Sequence, residues 1–370
     1  MPRPLVAPAR RAALRRRLLA WWDAGHRDLP WRFPQHAADP YRVWLSEVML
    51  QQTRVAVVRP YYERFVEAWP TLERLAAARD EDVLAAWSGL GYYARCRNLL
   101  AAARAALARH GGLPASLAAL HELPGFGPYT AGAVASIAFA IPAAAVDGNV
   151  ARVLARLFAV RGAAAGAGRE RIWAIARELV GERSAGSGSG GRPGDWNQAL
   201  IELGATVCGP APACGRCPVE RLCAARAAGA ERDIPAKRRR PAARAMELAC
   251  AVIEREGRVL LFRRPAGGLF AGLLGFPATE VRPGVSARQA LARALRAAGV
   301  PARAGEELGA VDRKLTHRDL RLVAFAFHPA GAVGEGEGGG EWVPWSELER
   351  AGMPTAMKAL LPLAFSRRVV

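Results

Sequence analysis

Apolar residues recur three and four apart, at helical spacing, along most of the first 208 positions. The pattern predicts helices over 11–27, 39–53, 57–68, 81–87, 93–109, 115–121, 129–139, 148–160 and 168–181, and a short one in DWNQALIELGATVC (195–208). The helix at 39–53 opens on Asp-Pro, a favoured start. No strand alternation precedes about residue 245, so the first region is predicted to be all-helical. SAGSGSGGRPG (184–194) reads as a flexible surface loop. GAERDIPAKRRRPAARA (229–245) reads as an extended basic linker. Beyond it the pattern changes. MELACAVIEREGRVLLFRRP (246–265) predicts two strands joined at a Gly turn, and LRLVAFAFHPA (320–330) another strand. EWVPWSELERAG (341–352) predicts a strand leading into a helix, and SARQALARALRAAG (286–299) a helix. GAVGEGEGGG (331–340) is expected to be a mobile hairpin connection. The chain is thus multidomain: a helical domain over 11–228, a linker over 229–245, and an α+β domain over 246–370. There is no internal repeat.

Length and charge sharpen this picture. A chain of 370 residues with 51% apolar residues is globular and long enough for two or three cores. It has no apolar run of about 18 residues, so no membrane association is expected. The start is basic but lacks a signal peptide's apolar region, which predicts a cytoplasmic protein. The net charge is +19 and is almost entirely arginine; the lysines are Lys237, Lys314 and Lys358. A GC-rich coding bias explains the choice of Arg over Lys. The positive sign itself suits a polyanionic partner such as nucleic acid.

Three local patterns carry candidate chemistry. Glu47 interrupts the apolar face of WLSEVMLQQT. Burial there would raise its pKa and make it a proton donor near neutral pH; a partly exposed or capping Glu is the plainer reading. Asp147 precedes the helical pattern DGNVARVLARLFAV. It is a routine N-cap on one reading. On the other it is a carboxylate kept ionised by the helix N-terminus, beside Asn149, and able to steady a cationic sugar. One protonated acid and one ionised carboxylate form the pair that glycosidic cleavage uses. LPGFGPYTAGAV (123–134) sets Gly125 and Gly127 around one apolar residue before a helix that Tyr129 opens. Such a turn is either an ordinary helix connection or a hairpin whose free N–H groups receive a DNA phosphate.

Four of the six cysteines, Cys208, Cys214, Cys217 and Cys223, fall within 16 residues. In a cytoplasmic protein they are expected to bind metal rather than form disulfides. Four thiolates suit zinc or a [4Fe–4S] cluster. The open spacing, Pro218 after the third Cys and the absence of a nearby His favour iron–sulfur.

WLSEVMLQQT, GLGYYARCRN (89–98), LPGFGPYTAG, VDGNVARVLAR (146–156) and the four cysteines together resemble the adenine DNA glycosylases of the helix–hairpin–helix superfamily. The resemblance runs from about residue 14 to the C-terminus. It implies removal of adenine mispaired with 8-oxoguanine or guanine in duplex DNA, by a monomer carrying one [4Fe–4S] cluster. It makes Glu47 the acid and Asp147 the carboxylate that stabilises or traps the sugar cation, with Tyr129 and Asn149 lining the same site. It assigns DNA contacts to Gln51, Gln52, Tyr92, Arg95, Gly125, Gly127 and Thr130. Gln52 and Tyr92 would wedge into the duplex while adenine is flipped out, and Arg95 would lie near the phosphates. The last domain resembles a Nudix fold. Its helix, LARALRAAG (291–299), lacks every acid that would hold magnesium, so pyrophosphatase chemistry is not expected. Thr316 and His317 stand where the family reads 8-oxoguanine; Leu315 replaces an aromatic there. The loop between the first two cysteines, GPAPA, is one residue shorter than the family's.

Two rivals share parts of this pattern. A bifunctional glycosylase/lyase would need a lysine amine for a Schiff base. It would fall where Tyr129 stands, and residues 1–236 contain no lysine. A catalytically silent DNA-binding scaffold would have no use for both Glu47 and Asp147 in intact motifs.

Overall fold

The computed structural model describes residues 4–33, 39–163, 165–181, 191–236, 242–265, 268–315, 317–331 and 340–365. The expected loop at 184–194 and hairpin connection at 331–340 fall mostly outside them. The chain divides into two compact units, Met1–Ala77 with Asn98–Arg239, and Ala78–Arg97 with Arg240–Val370.

The first part of the chain is helical, as expected. Its helices are α1 (Pro8–Ala24), α2 (Pro40–Leu50), α3 (Val55–Ala68), α4 (Leu72–Ala76), α5 (Asp80–Trp87), α6 (Tyr93–His110), α7 (Leu117–His121), α8 (Pro128–Phe139), α9 (Gly148–Leu157), α10 (Gly166–Val180), α11 (Pro193–Thr206) and the single turn α12 (Ala224–Ala227). Several begin on polar caps. The Asp39 carboxylate accepts from the N–H of Tyr41 at 2.9 Å, and the Ser116 hydroxyl from that of Ala119. Among the described residues no helix is long and apolar enough to cross a membrane.

The core of the first unit packs α1, α9, α10 and α11 around Leu14, Leu18, Leu154, Ile175, Trp196 and Leu200. Close approach depends on missing side chains. A Cβ on Gly132 of α8 would lie 2.0 Å from the Ala144 carbonyl oxygen, and one on Gly204 of α11 would lie 2.6 Å from the Asn149 Cβ. The strap between α8 and α9 is locked by Asn197, only 2% exposed. Its amide donates to the Ala143 carbonyl and the Ser136 hydroxyl at 2.8 Å, and its oxygen accepts from the Ala145 N–H at 3.3 Å. Buried polar groups satisfied this fully hold one geometry, and this one delivers Asp147.

The expected linker starts later than residue 229. Ile234 is 2% exposed and its carbonyl accepts from Arg156, while the Ala236 N–H donates to the Arg161 carbonyl. At the far end, Arg244 and Ala245 already belong to a strand. The apolar Ile234, set in a basic run, is what draws the segment onto the helical core.

The second unit is a mixed sheet with helices. Its strands are β1 (Arg244–Arg255), β2 (Arg258–Arg263), β3 (Leu274–Gly275), β4 (Ala278–Val281), β5 (Ala302–Lys314), β6 (Arg318–Pro329) and β7 (Gly340–Pro344). The order is β3-β2-β1-β6-β5, with β4 on β1 and β7 on β2. β1 and β6 run parallel over ten paired positions, from Arg244↔Arg318 to Ile253↔Phe327. One face packs Leu291 and Leu295 of α13 (Ala287–Ala297); the other packs Trp345, Leu348, Met353, Met357 and Leu361. The strand β7 leads into a short 3-10 turn at Trp345–Glu347 rather than the expected helix. Residues 78–97 belong to this unit: Ser88 donates to the Met353 carbonyl and Arg97 to the Ala271 carbonyl, both at 2.7 Å.

Candidate active site

Glu47 sits on α2 among Trp44, Leu45, Val48 and Met49, and is 8% exposed. Burial pushes its carboxyl up to about 7, and the negative charge of Asp147 adds to the rise. The Tyr129 hydroxyl at the start of α8 donates to Glu47 Oε2 at 2.5 Å, which favours the anion and works against the shift, as does the charge of Arg32. The balance leaves a carboxyl poised near neutrality, raised by burial as expected. Burial beside two carboxyls also pushes the Tyr129 phenol well above its usual range, so it stays a donor.

Asp147 is the N-cap of α9. Its Oδ1 accepts from the Val150 N–H at 2.7 Å and its Oδ2 from the Asn149 amide at 2.8 Å. Both readings of this residue meet here, since the cap geometry holds the carboxylate next to Asn149. Electrostatics depart from the expectation in one respect. Those donors do lower the pKa of Asp147, but desolvation is larger and the net direction is upward. The oxygen of Asn149 in turn accepts from Arg152 at 2.8 Å. Arg152 also donates to the carbonyls of Cys208 (2.8 Å) and Gly204 (2.9 Å). Hydrogen bonds therefore run from Asp147 to the start of the cysteine segment.

Sequence reading missed a buried ion network in the same unit. Glu202 of α11, 2% exposed, accepts two bonds from Arg27 at 2.6 and 2.9 Å and one from Arg32 at 3.0 Å. Burial pushes the Glu202 carboxyl up, but the hydrogen bonds and charges of the two arginines outweigh this and hold it below the usual range. The network fixes a cation whose field reaches Glu47. The available signal was a carboxylate inside the apolar pattern ALIELGATVC, the same kind of interruption that singled out Glu47.

The expected DNA-contact residues divide. Gly125 has φ +76, and a Cβ there would meet the Asn98 Cβ at 2.7 Å, so this position needs glycine twice over. Gly127 has ordinary backbone (φ −73) and open space where a Cβ would be. Phe126 between them is buried and stacks on Trp44 at 5.2 Å. The hairpin thus anchors its apex side chain and leaves both glycine backbones exposed. Thr130 is a correction: it is 3% exposed, and its hydroxyl accepts from Gln51 at 3.1 Å, so its side chain braces α2 against α8. Gln52 and Tyr92 are exposed, and each holds a left-handed backbone, φ 57 and φ 49. Such conformations cost about 1–3 kcal/mol and concentrate at functional sites. Arg95 does not extend into solvent. It donates to the carbonyls of Leu90 and Gly91 and lies 5.2 Å from the Tyr92 ring centroid, bracing that turn. Burial lowers its pKa to about 10.

Cys208, Cys214, Cys217 and Cys223 are free thiols lining one cavity. Among the described residues no group of three or more His, Cys, Asp or Glu is placed to hold a single metal ion. In the second unit His317 is exposed at the turn between β5 and β6, where its carbonyl accepts from the Arg244 N–H. Thr316 lies outside the described residues.

Residues 45–179 match the family model of the HhH-GPD superfamily base excision DNA repair proteins, and residues 248–363 match the NUDIX domain. The adenine DNA glycosylase of Rattus norvegicus is 37% identical over 94% of this chain and 77% of its own length. That of Homo sapiens is 37% identical over 94% and 73%. A solved thermostable thymine-DNA glycosylase superposes on 60% of this chain and 98% of its own, with TM-score 0.52 and 29% identity. With a relative 37% identical over 94% of this chain, and a Nudix-like domain following the HhH-GPD region, the chain belongs to the adenine DNA glycosylase family of base-excision repair.

Proposed function

We propose that this chain hydrolyses the N-glycosidic bond of adenine mispaired with 8-oxoguanine or guanine in duplex DNA. The observation that carries the reading is the buried Glu47 carboxyl, poised near pH 7 and held by Tyr129 within the field of Asp147. In this scheme Glu47 gives its proton to the departing adenine, which keeps the electron pair of the broken bond. Asp147 steadies the oxocarbenium-like sugar. Water adds to the sugar carbon and its proton passes to the Glu47 carboxylate, which restores the acid. Tyr129 orients Glu47, and Asn149 orients Asp147. With no lysine before position 237 to form a Schiff base, the product is an abasic site and the strand stays whole. The exposed glycines of the hairpin and the basic excess supply sequence-independent hold on the phosphates.

Cys208, Cys214, Cys217 and Cys223 fit one [4Fe–4S] cluster by donor set, four thiols on a common cavity with no histidine among its lining residues. Such a cluster would cross-link the segment that follows α11; bond cleavage itself rests on the carboxylates.

A duplex carrying one A·8-oxoguanine pair tests the function. Incubation and then alkali should cut the adenine strand at that site, and cutting without alkali, or none, would refute the reading. An A·G duplex should be cut in the same way. Specificity is assigned to Thr316 and His317. Replacing both with Ala should reduce the rate ratio of A·8-oxoguanine to A·G by about tenfold, the value of one lost polar contact of about 1–3 kcal/mol. An unchanged ratio in a folded double variant would exclude this turn as the reader.

A further inference from the structure

Arg156 lies on the buried face of α9 and is 3% exposed. Its two terminal nitrogens are spread over one short stretch of chain, 208–210, and its Nε reaches a carbonyl further on. Nη1 donates to the Gly209 carbonyl at 2.7 Å, the Cys208 carbonyl at 3.2 Å and the Cys208 Sγ at 3.3 Å. Nη2 donates to the Pro210 carbonyl at 3.3 Å, and Nε to the Ile234 carbonyl at 2.8 Å. The backbone carbonyl of Arg156 meanwhile accepts from the Cys223 thiol at 3.4 Å. One residue therefore touches the first and the last of the four cysteines.

Among the described residues no carboxylate answers the charge of this group. Glu220 and Glu231 line the same cavity, but both pair with Arg226, at 3.0 Å each. Among the described residues none pairs with Arg156. A guanidinium keeps its charge under all ordinary conditions, and a buried charge without a counter-charge is unfavourable. Carbonyl dipoles offset part of that. Four thiolates around an iron–sulfur core carry net negative charge and would supply the rest.

We infer that Arg156 is a positioning residue for the cluster, acting both as the pin of the short GPAPA loop and as the counter-charge of the thiolates. The inference rests on the [4Fe–4S] reading above. Gathering the carbonyls of Cys208, Gly209 and Pro210 onto one guanidinium fixes the start of this loop, and with it the first cysteine, at the cavity. Only a planar fork with five N–H donors satisfies so many acceptors together. An N–H to sulfur contact and a nearby cation also set a cluster's reduction potential.

The test uses the full chain, purified anaerobically, as wild type, R156Q and R156K. Wild type should contain iron and absorb broadly near 400 nm; wild type without iron would overturn the cluster reading and this inference with it. With iron present in wild type, R156Q should release it to a chelator at least about tenfold faster, and its potential should move to more negative values. R156K keeps the charge but not the fork, so it should hold the potential closer to wild type while still losing iron faster. Wild-type release rate and potential in a folded R156Q would overturn the inference. Where R156Q fails to fold, R156K decides. Faster iron loss at unchanged circular dichroism upholds the pin, and a wild-type rate overturns it.

Discussion

Glu47→Gln should bind a mismatched duplex as tightly as wild type and excise adenine about 10²–10⁴-fold more slowly in single turnover. The amide is nearly isosteric, still accepts from Tyr129 and has no proton to give. The same position should show an opposite effect on stability. Glu47 has a folded pKa of about 7 against 4.5 for the ordinary group. A raised carboxyl pKa means folding favours the protonated form. The penalty is absent below the lower value, grows as pH rises, and is complete above the higher one. At pH 8 it amounts to about 3 kcal/mol. Glu47→Gln removes it, so the variant should melt above wild type at pH 8 and level with it near pH 4.5. Wild-type excision should itself decline as pH rises through 7, where the donor is lost. Full excision by the variant, or a pH-independent wild-type rate, would defeat the assignment.

Asp147→Asn should lower excision by about 10²–10³-fold, the scale of removing one electrostatic contact to a charged transition state. It should change stability by less than about 1 kcal/mol, because Asn caps helices as well as Asp does. Asp147→Ala should lose both, with about 0.5–2 kcal/mol of stability gone along with activity. Comparing the two by thermal melting and single-turnover rates separates cap from carboxylate. If Asn at 147 restores the rate that Ala removes, the residue serves only as a cap. The raised pKa of Asp147 adds an acid limb in wild type: excision falls as pH drops and the carboxylate is protonated. With Glu47 setting the alkaline limb, the pH profile should be a bell.

Glu47 and Asp147 were legible because each breaks a regular pattern, one inside an apolar face and the other before a helical run. Elements with strong periodicity were found to within a few residues; α2, expected over 39–53, spans Pro40–Leu50. It stops short because the backbone leaves the helix at Gln51, ψ 114, and turns left-handed at Gln52, which no propensity reports. β5 escaped notice altogether. It is an edge strand, mostly half-buried or exposed, with register shifts between Ala304 and Gly309, so its residues never alternate. Arg27, Arg32 and Glu202 were illegible as a group because ion pairs join segments 170 or more residues apart. Thr130 was misjudged as a surface contact because a hydroxyl near a helix start looks the same whether it meets solvent or Gln51.

The membership of residues 78–97 in the sheet-bearing unit bears on biosynthesis. Ser88 must wait for Met353, 265 residues later. At about 5–20 residues per second, that delay is roughly 15–50 s on the ribosome. Throughout it, α5 has been synthesised while the carbonyl that its following serine will meet does not yet exist. The helical unit has all its own segments by then, so folding of the nascent chain cannot proceed simply from front to back. A shortened message that ends between the units would release residues 78–97 without the Met353 and Ala271 carbonyls that Ser88 and Arg97 meet.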